Sequence, residues 1–159
     1  MSVQRQLAPL VLLALLSAAP TLAQDTSFTS MQQRGKMAMG VDQYTSIHQF
    51  DDLPDGGRIE LQRDRDDSTG VRTIREHLLG IQRAFSAGDF STPAFVHMRD
   101  VPGTKEMAAR RALIQYRFQS LPRGGELRIV TSDSSARDAV HRFLAFQRGE
   151  HHAGGHSMK

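Results

Sequence analysis

Two stretches of the chain, residues 53–61 and 121–129, share the pattern Leu-Pro-x-Gly-Gly-x-apolar-x-apolar at a constant offset of 68. In such a pattern the proline presets φ and the glycines permit positive φ, so each stretch begins with a tight turn. The alternation that follows has the period of a strand. Each turn is also preceded by strand-like sequence: residues 44–50 in the first case, and residues 113–120 in the second, where Ile114, Tyr116 and Phe118 share a face. A helical pattern then follows each hairpin. Over residues 71–87, Ile74, Leu78, Ile81 and Phe85 form one apolar stripe, with Gly88 as a stop. Over residues 136–148 a second helix is expected, with Ser132, Asp133 and Ser134 as N-cap candidates and Gly149 at its end. Leu78-Leu79-Gly80-Ile81-Gln82-Arg83 matches Phe143-Leu144-Ala145-Phe146-Gln147-Arg148 at an offset of 65. The chain thus reads as a duplicated β-β-α unit, over about 44–87 and 113–149.

One such unit has an uncovered sheet face and an uncovered helix stripe. Two units can share an antiparallel sheet, with both helices on one face. The expected fold class is therefore α+β, a two-layer sandwich spanning residues 41–150. The opposite sheet face would carry Arg58, Glu60, Gln115, Arg117 and Arg128 and be polar, either solvated or an interaction surface for a partner or a second copy. Residues 94–98 read as a strand or extended segment, and residues 105–110 as a helical turn. Residues 24–40 read as a Met-rich arm or short helix before Gly40, and residues 151–159 as a His-rich flexible tail. Asp64, Asp66 and Asp67 lack the ligand order of a calcium loop and read as a solvated linker.

Residues 1–23 have the layout of a cleavable secretory signal. Arg5 supplies the positive end, residues 7–16 the apolar run, and Thr21-Leu22-Ala23 a small-residue cleavage site after Ala23. The run is too short to span a bilayer, which takes roughly 20 residues, so no stable membrane anchor is expected. A periplasmic or secreted location follows. There is no cysteine, so disulfides, thiol catalysis and thiolate metal sites are excluded. The chain has 20 Lys and Arg, one of them in the leader, against 17 Asp and Glu, too small an excess for a nucleic-acid partner.

Phosphate loops, nucleophile elbows and zinc-protease motifs are absent from the sequence. Seven histidines remain as candidates. His48 and His97, on extended segments, would meet if their strands were neighbours, with Asp42 or Asp51 nearby. His77 lies at the edge of its helix's apolar stripe. His141 lies opposite the apolar side of the second helix and reads as solvated. His151, His152 and His156 form the tail cluster, with Met158 behind them. Imidazoles suit copper or zinc, and Met37 with Met39 could serve Cu(I), although methionines more often pack.

The segment Arg34-Gly35-x-x-Ala38-Met39-Gly40-Val41-Asp42-Gln43-x-Thr45-x-x-His48-x-Phe50 resembles a family of small exported bacterial proteins of unknown function. That family typically carries Met-Gly-Phe-Asp-Gln and then Thr-Thr-His-His-Phe. The resemblance continues through Pro-x-Gly-Gly, the helix with His77, Gly88-Asp89-Phe90, Pro102-Gly103 and the helix with His141. Val41 and Ile47 depart from it, at the usual Phe and at the first His of the pair, and no activity is implied. Three functions follow as expectations: an accessory protein binding copper or zinc through His48, His77, His97 and the tail; a non-catalytic interaction or dimerisation module; and an enzyme using His48 with Asp42 for acid–base chemistry.

Overall fold

The computed structural model describes residues 21–155, with side chains from residue 27. Strands β1 (Ser46–Leu53) and β2 (Gly56–Arg63) form one hairpin, β3 (Gln115–Leu121) and β4 (Gly124–Val130) the other. β2 pairs with β4, giving one antiparallel sheet of order β1-β2-β4-β3. Helices α2 (Ser68–Ala87) and α5 (Ser134–His151) follow the two hairpins, and the α+β architecture is the one the repeat implies. Helices α1 (Thr21–Met39), α3 (Ser91–His97) and α4 (Thr104–Ala109) complete the α-helices of the described chain, with short 3-10 turns at Gln43–Thr45 and Arg111–Leu113.

The register carries the repeat into three dimensions. Shifted by 68 residues, His48–Leu61 becomes Tyr116–Ile129, Phe50–Ile59 becomes Phe118–Leu127, and Leu53–Gly56 becomes Leu121–Gly124, all observed pairs. The central ladder maps onto itself, with Ile59 opposite Leu127 and Gly57–Ile129 exchanged for Leu61–Gly125. A pseudo-twofold axis therefore passes between Ile59 and Leu127.

Each long helix packs mainly on the other unit's hairpin: α2 on β3 and β4, α5 on β1 and β2. Matching clamps hold them there. Arg75 of α2 donates to the carbonyls of Gly124 at 2.9 Å and Leu121 at 2.7 Å. His141 of α5 reaches the equivalent carbonyls of the first turn, Leu53 at 3.0 Å and Gly56 at 2.9 Å. His141 is thus a donor pinning a turn, not a solvated residue. These clamps set the helix correspondence at 66 residues rather than 65, Arg75 to His141. The N-caps agree, since the Asp67 and Asp133 carboxylates accept from the amides of Gly70 and Ala136. So do the buried positions Ile74 with Val140 and Leu78 with Leu144. The 65-residue match pairs similar letters, but one residue rotates a helix by about 100° and misplaces the buried face.

Three segments differ from expectation. Residues 94–98 lie in α3 and the turn that ends it, because Pro93, Val96 and His97 are buried at helical rather than alternating spacing. Residues 24–39 belong to a full helix, ended by Gly40 at φ 78°. α5 runs through Gly149 to His151 and ends at His152. A helical glycine costs only about 1 kcal/mol relative to alanine, which the packing of α5 overrides. The chain then returns along β1: the Gly154 amide donates to the His48 carbonyl at 3.1 Å, and the Phe50 amide to the Gly154 carbonyl at 3.0 Å. The expected tail is therefore part of the fold through Gly155, and His156 and Met158 lie outside the described residues. So does most of the expected leader.

The outer sheet face is polar and internally paired. Arg58 meets Asp51 at 2.6 Å, Glu60 at 3.5 Å and Glu126 at 3.7 Å, and Arg128 meets Asp55 at 3.0 Å.

Candidate functional site

A cavity of about 100 Å³ lies between the β1 side of the sheet, α2, α5 and the α1–α3 pair. Phe50, Leu61, Leu78, Phe85 and Val96 make much of its wall. Four histidines line it, each from a different element: His48 (β1), His77 (α2), His97 (α3) and His151 (α5), together with Gln147. His48 and His97 do not meet as strand neighbours, because His97 is helical. They meet through this cavity, with His151 between them: its ring centroid is 6.3 Å from that of His48 and 5.0 Å from that of His97.

Hydrogen bonding sets the tautomers. The Ser46 hydroxyl donates to the Asp42 carbonyl at 2.8 Å, so it accepts from His48 Nε2 at 3.0 Å. This leaves the lone pair of His48 on Nδ1. Gln43 donates through its amide nitrogen to the His151 carbonyl at 2.7 Å, and its oxygen accepts from His151 Nδ1 at 3.0 Å. The His151 lone pair is therefore on Nε2. Burial pushes His48 down to about 4, helped by His77, and His151 down to about 3, helped by His97, His48 and His152. Burial also lowers His77 and His97. At neutral pH the cavity presents uncharged imidazoles, which can accept a hydrogen bond or ligate a metal.

His97 Nε2 lies 3.2 Å from the Gln147 side-chain oxygen, yet His97 Nδ1 and Gln147 Nε2 are buried with no partner. Glu150 stands 3.9 Å from that Nδ1. An unsatisfied buried polar group costs about 1–3 kcal/mol. The pseudo-twofold shows what could stand here instead. His48 corresponds to Tyr116 by the strand offset; by the helix offset His77 corresponds to Phe143, Gln147 to Ile81 and His151 to Phe85. All four counterparts are buried. Every polar group that the repeat places at this cavity therefore occupies a position where the other unit packs an apolar or aromatic side chain.

The other expected site residues lie elsewhere. Asp42 accepts from the Tyr44 amide at 2.8 Å, its carboxylate is 3.7 Å from Lys36, and its carbonyl is linked to His48 through Ser46. That arrangement does not make an acid–base pair with His48. Met39 packs in the core, while Met37 is exposed. His152 stacks on Phe28 at 4.5 Å. Among the described residues, no group of three His, Asp or Glu side chains is placed to hold one metal ion. Gln43 and Gln147 are missed by a search for titratable residues. The available signal for Gln147 is that it extends the apolar stripe of Val140 and Leu144.

Comparison with protein-family models, with curated proteins and with solved structures finds no match.

Proposed function

We propose that the mature chain is an exported binding protein for a small, largely apolar molecule bearing a hydrogen-bond donor, held in the histidine-lined cavity. The observation that carries this reading is that His48 and His77 of the first unit and Gln147 and His151 of the second converge on one cavity, each where its counterpart in the other unit is a buried apolar or aromatic residue. Apolar wall left without contact in a space of about 100 Å³ forfeits packing, and the unpartnered polar atoms add to that cost. A ligand that fills the space, donates to an imidazole and accepts from the Gln147 amide offsets both, and stabilises the fold by binding it selectively. At about 100 Å³ the space is smaller than the roughly 150 Å³ that admits benzene, so it suits a short chain or one edge of a small ring entering from its open side.

Phenol and benzene test this by NMR titration of the mature protein. Phenol is expected to bind more tightly than benzene, with shifts at Phe85, Val96 and the Gln147 side-chain amide. Absence of shifts with either compound at millimolar concentration would sink the reading. A second reading, copper or zinc held by the lone pairs of His48, His97 and His151, is motivated by the ring series. It requires the side chains to regroup, and calorimetry with Cu(II) or Zn(II) separates it: one tight equivalent that displaces phenol favours metal. Export is tested by N-terminal sequencing, with Gln24 expected first and an uncut cytoplasmic chain the contrary result.

A further inference from the structure

Beside the cavity is a larger open recess of about 490 Å³ between α1, α2 and α3. Ala38, His77, Ile81 and Thr92 line both spaces. The recess therefore meets the cavity along one wall from each of the three helices. Its outer edge is formed by Gly80, Ser91 and Phe95. Phe95 is 47 % exposed, and a Cβ added at Gly80 would meet nothing within 4 Å. The absence of a side chain at residue 80 keeps this recess wide, while Phe95 gives it an apolar lip and the Ser91 and Thr92 hydroxyls a polar margin.

We propose that this recess is the portal to the cavity and a second subsite, so that the ligand is an elongated molecule: a donor-bearing ring or chain end inside, an apolar extension through the recess. The assignment rests on the cavity reading above and adds the shape class of the ligand. His77, at the junction, borders both parts. A compact ligand would leave the recess unused, whereas an extended one buries apolar surface against Ile81 and Phe95.

Calorimetry with phenol, 4-ethylphenol and 4-butylphenol on the full mature chain tests this. Affinity is expected to rise roughly fourfold per added methylene, the gain for burying each one. Gly80→Trp, which fills the recess, is expected to abolish that gain, and Phe95→Ala to reduce it; thermal melts check that both variants fold. Phenol binding with a flat or falling series overturns the second subsite and leaves the cavity reading standing. So does a rising series that Gly80→Trp and Phe95→Ala both leave unchanged, because the extension then lies elsewhere. Failure of every phenol to bind overturns both.

Discussion

Buried imidazoles give this molecule a stability that depends on pH in a definite direction. His48 and His151 have folded-state values near 4 and 3, against 6.5 for an unperturbed histidine. Above pH 6.5 both folded and unfolded chains are neutral there, and nothing is lost. Below it only the unfolded chain takes up these protons, so stability falls as pH drops toward 4. The slope approaches about 1.4 kcal/mol per pH unit for each such histidine. His77 and His97 are pushed the same way and add to it. Urea unfolding at pH 7.5, 6.0 and 5.0 measures this. His48→Tyr, which installs the residue found at Tyr116, is expected to remove one proton's share of the slope; a midpoint independent of pH over that range would contradict the assignment. At this scale the sequence was only partly legible. The histidines themselves are conspicuous, but nothing in the residue type singles out Gln43 or Gln147 until the fold sets them beside the imidazoles.

Hairpins and long helices were readable because turn chemistry and period agree in them. The run at residues 94–98 was ambiguous because a short apolar stretch fits either a strand or a helix. α5 outlasts Gly149 because its last buried positions, Gln147 and His151, hold it against the sheet. The clamps were not readable at all, since nothing local marks Arg75 or His141 as donors to a distant turn. They make a paired prediction. Arg75→Ala removes two charge-assisted bonds to carbonyls and should cost about 2 kcal/mol, and His141→Ala about 1 kcal/mol. The double variant should be close to additive, because the clamps hold separate turns. Urea unfolding of the three variants checks this. Loss of either side chain without measurable cost would mean that the helices are seated by apolar packing alone.

Across the whole molecule, the two β-β-α segments form a sheet that is symmetric in register and a core that is not. One unit contributes Ile81 and Phe85, the other Gln147 and His151 at the equivalent positions, and all four line one cavity that is apolar on one side and polar on the other. Binding proteins commonly hold such stability-costing groups where function needs them. That asymmetry is the central claim, and the most direct measurement is the unfolding midpoint of Gln147→Ile/His151→Phe at pH 7.5, which makes the second unit resemble the first. The account predicts a chain more stable than wild type by about 1 kcal/mol, the added apolar contact and the loss of an unpartnered amide outweighing the bond that His97 Nε2 loses with Gln147. A double variant that is less stable than wild type would show that Gln147 and His151 are structural, and would contradict the account.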